Sequence, residues 1–202
     1  TSKPLPPAKP KSNENLYPGL GASMSSLAAQ ETVVRLAQRG VRLGDLLDFY
    51  AGLLGPGSPM PSFDASRSTT NDVVREAIIP LSRHADGSGG VALATKWSTG
   101  APLLAQRMVT HTWSNVFTHL VAAVVADGLG ICNYAEVAVQ LKAGNAEELK
   151  LRLSASGALQ NVYWVCSFCI NQHAGICGGF GPAPSGLLER EAWERGQHNS
   201  VT

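Results

Sequence analysis

The apolar positions of this chain fall into two rhythms. From Val162 to Phe168 they run without a break and are rich in β-branched and aromatic side chains. That composition predicts a strand buried on both faces, as in a parallel sheet. Alternation along it sends Trp164 and Phe168 to one face and Tyr163 to the other, all as core. The run then breaks into Asn171, Gln172 and His173, followed by Gly175, Gly178 and Gly179. A shorter strand is expected over 107–112, centred on Met108 and Val109, and it runs into His111, Thr112, Trp113, Ser114 and Asn115.

Elsewhere the rhythm is helical. Leu27, Val33, Val34, Leu36 and Ala37 predict a helix over 25–39 stopped by Gly40. Leu46, Leu47, Phe49, Tyr50 and Leu53 predict a second over 43–54, the two forming a helical hairpin. After a loop rich in Pro, Gly and Ser comes Ser68-Thr69-Thr70-Asn71-Asp72, a run able to cap a helix over 73–79 that Pro80 ends or bends. A broad apolar face over 116–129, with Asp127 its only formal charge, predicts a largely buried helix. Shorter helices are expected over 134–141, 146–153 and 187–195. In the second of these, Glu147 and Glu148 precede Lys150 and Arg152, the order the helix dipole favours.

The segment 1–20 interleaves Pro4, Pro6, Pro7, Pro10 and Pro18 with Lys3, Lys9 and Lys11. It reads as an extended arm, either a docking arm or a plain linker. A helical subdomain over 21–100, an α/β core over 101–195 and a tail over 196–202 complete the expected organisation. Charged residues make up 15% of the chain, well below the roughly 25% of ordinary soluble domains. So sparse a charge fits burial against a partner, and equally a neutral polar surface of Ser, Thr, Asn and Gln. The net charge of +1, with no basic block, gives no electrostatic basis for nucleic-acid binding. No apolar segment is long enough to span a bilayer, though peripheral association with a membrane complex fits this surface. The first residue is Thr1 rather than Met, so an upstream piece is expected, either removed or not included in this sequence.

Four cysteines, Cys132, Cys166, Cys169 and Cys177, are read as reduced thiols. No secretory signal is visible. An intracellular site, cytoplasmic or organellar, with a plastid among the options, is expected rather than secretion. The Asp86–Gly90 stretch is a turn without the Lys-Ser/Thr of a phosphate loop.

Candidate chemistry gathers at the strand ends. If the two strands are parallel neighbours, His111, Trp113, Ser114, Asn115, Asn171, Gln172 and His173 converge at one end of the sheet, where open α/β folds bind ligands. They could hold a polar ligand against Trp113, or hydrogen-bond one another and fix the strand ends. His111 and His173 are the candidate acid and base. Cys166, Cys169, His173 and Cys177 form C-x2-C-x3-H-x3-C, ligand types that suit zinc. However, Cys166 and Cys169 on one strand point to opposite faces, so buried apolar thiols are the default.

Two stretches carry a resemblance, MVTHTWSNVF at 108–117 and VYWVCSFCINQHAGIC at 162–177. An aromatic strand closing in C-I-N-Q resembles the fungal heterokaryon-incompatibility domain, a relative of the Toll/interleukin-1-receptor fold. The chain is also similar to an algal and protist family, abundant in dinoflagellates. That family pairs a THxW strand with a YWVCxFxxNQH strand and precedes both with the helix TTNDVVREAIIP, here Thr69 to Pro80. The resemblance implies an α/β fold with a small parallel, flavodoxin-like sheet flanked by helices. Cys166 stands where heterokaryon-incompatibility domains carry Asp. Enzymatic Toll/interleukin-1-receptor domains cleave NAD with a Glu; only Glu136 and Glu189 offer themselves here. The chain also ends soon after the NQH segment, where the family continues.

The expected function is a non-catalytic interaction or scaffold module, a subunit of a larger assembly of protein partners, with no cofactor. The alternative is an enzyme that cleaves or senses a nicotinamide nucleotide through His111, Asn171 and His173.

Overall fold

The computed structural model describes residues 24–173. The expected arm over 1–20, the helix over 187–195, Glu189, Cys177 and the tail lie outside the described residues. The chain divides into two compact units, Thr1–Val34 and Arg35–Thr202. Helix α1, Met24–Ala37, runs through the end of the first and into the second.

Strand β1, Val41–Arg42, stands between α1 and helix α2, Leu43–Leu54, where a simple helical hairpin is expected. Two residues carry no readable period, so this strand is defined by its partners alone. It lies flush against the chain at Gly40, whose N–H donates to Leu103 O at 2.8 Å. A Cβ on Gly40 would sit 2.8 Å from that same oxygen. The close approach therefore requires glycine.

The helical run over 70–82 is built in three parts: α3, Thr70–Val73, a π-helical turn, Val74–Ile78, and α4, Ile79–Ser82. Its start falls within the run of cap-competent residues and forms a capping box. Thr69 N donates to Asp72 Oδ2 at 2.8 Å, and Asp72 N donates to Thr69 Oγ1 at 3.2 Å. Pro80 neither ends nor removes the helix. It has no N–H for Glu76 O, and its ring crowds that carbonyl. The turn before it opens to the i→i+5 pattern, with Ile79 N donating to Val74 O. The helix survives two residues further, to Ser82.

A short helix, α5, Leu93–Trp97, follows, then strand β2, Arg107–Val109. Helix α6, Phe117–Gly128, is buried along most of its length, as its apolar sequence predicts. Helices α7, Ala135–Lys142, and α8, Ala146–Ala155, lead through a 3-10 turn, Ala158–Gln160, to strand β3, Val162–Val165. The strand stops there. Cys166–Cys169 winds into a helical turn, α9, where a continued strand is expected.

The sheet order is β1-β3-β2. β2 and β3 are parallel, with Met108 opposite Trp164 and Val109 opposite Val165. The connection between them carries α6, α7 and α8, the long crossover that parallel neighbours need. β1 is antiparallel to β3. The sheet is therefore mixed, a correction to the purely parallel one expected. The fold is mixed α/β, a three-stranded sheet flanked by helices.

One core serves the unit. Leu47, Tyr50 and Ile78, from the expected helical subdomain, share it with Val121, Leu149 and Phe168. Thus the hydrophobic core is continuous across the boundary expected near residue 100. Its centre is aromatic. Phe168 meets Phe49 edge-on at 5.4 Å, Trp97 at 5.5 Å and Phe117 at 6.3 Å between ring centroids, separations at which aromatic pairs attract. The α9 turn delivers Phe168 to this cluster.

Candidate functional site

The carboxyl ends of the parallel strands β2 and β3 carry the residues singled out by the sequence. The structure sorts them into two groups with different work.

The first group closes the fold. Asn171 Nδ2 donates to Gly90 O at 2.9 Å, and Asn171 Oδ1 accepts from His173 N at 3.1 Å. Gln172 is 5% exposed, and its Nε2 donates to Cys166 O at 2.9 Å and Ser167 O at 3.2 Å. It thereby satisfies carbonyls of the α9 turn. His173 is 8% exposed and lies 3.0 Å from Ser82 Oγ through Nε2. Ser82 donates its own hydroxyl proton to Ile78 O at 2.6 Å, so it accepts from His173 and Nε2 carries the proton. Burial, with Arg83 and His84 adding to it, holds the imidazole below its ordinary pKa. The ring lies against Gly90, where a Cβ would also stand 2.5 Å from Ser82 O.

Helix 70–82 joins this group to the second. At its start, Thr70 N donates to Asn115 O at 2.9 Å and Asn71 N to Trp113 O at 3.0 Å. These are two of the donors a helix start leaves unpaired. At its end, Ser82 receives His173. The helix motif, the THTW segment and the NQH segment are thus one hydrogen-bonded assembly.

The second group is half-exposed. His111 Nε2 lies 3.3 Å from Cys166 Sγ. His111 Nδ1 lies 3.4 Å from Thr112 O. A carbonyl only accepts, so Nδ1 carries the proton and Nε2 offers its lone pair to the thiol. The Trp113 ring is 6.5 Å from His111, tilted by 34°. Burial lowers the pKa of His111, against a smaller opposing effect of Thr112 O. Burial raises that of Cys166, partly offset by N–H donors from Ser167, Cys166 itself and Trp113. Ser114 and Asn115 are exposed, and Asn115 Oδ1 accepts from Val116 N at 2.9 Å within its own turn.

Thus His111 and His173 attend different partners, Cys166 and Ser82. The three described members of the zinc candidate set likewise have separate partners, and Cys177 lies outside the described residues. Cys169 is fully buried, accepts from Val165 N at 3.2 Å and has its pKa pushed up by burial to about 12. Cys166 faces His111, and His173 faces Ser82. Among the described residues no three His, Cys, Asp or Glu side chains gather in a metal-binding group. Ser82 and Gly90 had no signal in the sequence. Cys166 had one, its place at the position where the resembling domain carries Asp.

Comparison with known proteins adds nothing to this geometry: no family model, no curated protein and no solved structure matches the chain. Among the described residues no helix is long and apolar enough to cross a membrane.

Proposed function

We propose that this chain is an interaction module, a subunit of a larger protein assembly, which takes an extended segment of a partner along the outer edge of β2. The observation that carries this reading is the open edge itself. β2 is outermost in the sheet, and Met108 is 69% exposed. An edge strand presents backbone donors and acceptors ready for strand addition. Beside it lies a cleft of about 260 Å³ whose walls include Met108, Val109, Thr110, Ala123, Val124 and Tyr163. Arg107, half-exposed, lines the same cleft with Asp127. It lies 3.3 Å from Asp127 and its guanidinium carbon is 5.8 Å from the Tyr163 ring centroid.

The partner segment suited to this edge is extended, with one apolar side chain for the cleft. The nicotinamide reading draws on Asn171 and His173, whose hydrogen bonds to Gly90 and Ser82 favour a structural role instead. The finer fold assignment, a sheet of the Toll/interleukin-1-receptor and heterokaryon-incompatibility kind, is part of this proposal. The parallel β2–β3 pair with its helical crossover supports it.

A photocrosslinking residue placed at 108, and for control at Leu151, which is 66% exposed on α8, tests the reading. The expected result is a crosslink from 108 to one partner segment, which the control position does not give. Identical crosslinks from both positions would refute docking at this edge.

A further inference from the structure

We propose that Cys166 and His111 form a nucleophile–base pair that accepts an acyl group from a thioester, making the open end of the sheet an S-acylation site. The sulfur and the imidazole Nε2 are 3.3 Å apart. The tautomer is set by Nδ1 and Thr112 O, so the nitrogen facing the thiol is the one able to take its proton. This is the nucleophile, base and orienting group in sequence, with a backbone carbonyl as the third member. Trp113 and the Ser167 N–H reach the sulfur as donors, where negative charge develops if the proton leaves first.

The protonation state selects the chemistry. Burial keeps Cys166 a thiol near neutral pH and keeps His111 uncharged. Oxidation by peroxide draws on a free thiolate, which this site disfavours. Attack on a carbonyl carbon assisted by a neutral base draws on the arrangement present. In the step, the Cys166 proton passes to His111 Nε2 while Sγ bonds to the acyl carbon. The donor's carbon–sulfur bond then breaks, and its thiolate leaves with the proton returned by the imidazolium. The acyl group has moved from one sulfur to another, with no change of oxidation state.

The other described thiols provide the contrast. Cys169 is buried, and Cys132 is exposed. On exposure alone Cys132 would react first.

The test incubates the full chain with S-phenyl thioacetate at pH 7, follows thiophenol release and maps the acetyl group by peptide mass spectrometry. The expected result is acetylation of Cys166 ahead of Cys132. His111→Gln slows this by about 100-fold, the low end of what a positioned base contributes, and Cys166→Ser abolishes it at that position. Acetylation of Cys132 or Cys177 ahead of Cys166 in the unaltered chain would overturn the proposal, and needs no variant to fold. So would an unchanged rate in His111→Gln with the circular dichroism of the parent.

Discussion

Ser82→Ala should destabilise the protein by about the worth of one buried hydrogen bond. Ser82 is 1% exposed and receives the Nε2 proton of His173, itself 8% exposed. Alanine removes the hydroxyl acceptor and leaves the imidazole only the backbone carbonyls of Ser82 and Ile79, at the cost of one ordinary hydrogen bond, roughly 0.5–1.5 kcal/mol. It also strips Ile78 O of its hydroxyl donor. With a urea m-value of about 2 kcal/mol/M, a loss of about 1 kcal/mol moves the unfolding midpoint down by about 0.5 M. The four tryptophans supply the fluorescence signal. The sharper test is the cycle with His173→Leu. If the two side chains act as a pair, the double variant loses less than the sum of the singles, with a coupling energy between roughly 0.5 and 3 kcal/mol. An unchanged midpoint in Ser82→Ala, or strict additivity in the cycle, would refute the claim that the NQH segment closes the fold through Ser82.

Three further outcomes follow from the same geometry. Phe168→Ala should cost about 3–5 kcal/mol, read from the urea midpoint, because Phe168 sits at the meeting point of Phe49, Trp97 and Phe117. Tyr163 donates to Asp127 Oδ2 at 2.7 Å and, mainly through burial, has its pKa raised to about 12. Its contribution is therefore complete below pH 10 and is lost as pH rises from 10 towards 12. Tyr163→Phe should remove that alkaline dependence and cost roughly 0.5–1.5 kcal/mol at neutral pH. His111 and His173 are both held below the ordinary value of 6.5, so on acidification the unfolded chain takes up protons first. Stability should be full above pH 6.5 and fall as pH drops from 6.5 to the folded-state values. Thermal melts from pH 8 to pH 5 in His173→Leu should show a shallower fall.

Much of the fold is legible in the sequence because several signals agree. The helix over 117–128 has an apolar face broad enough to tell its burial, and the cap-competent run at 68–72 announces the start of the helix that follows it. The limits are equally physical. An apolar run such as VYWVCSFC does not by itself separate strand from buried helix. The choice falls to Gln172 on the turn's carbonyls and to Phe168's place among the aromatics, both tertiary. Strand β1 is two residues long and shows no pattern. Pro80 reads as ending or bending the helix, and the π-helical turn before it lets the helix run on to Ser82. The candidate residues at the strand ends are visible as a set, but not their division. Cys166 and His111 are 55 positions apart, and Ser82 and His173 are 91 apart, so only the fold pairs them.

The account rests on the two histidines having opposite roles, His173 as a buried donor within the fold and His111 as a base facing a thiol. Long-range proton–nitrogen NMR of the imidazole rings above pH 7 reads this directly. The account predicts opposite tautomers, with the proton on Nε2 in His173 and on Nδ1 in His111. The same tautomer in both rings, or a proton on His111 Nε2, would contradict it.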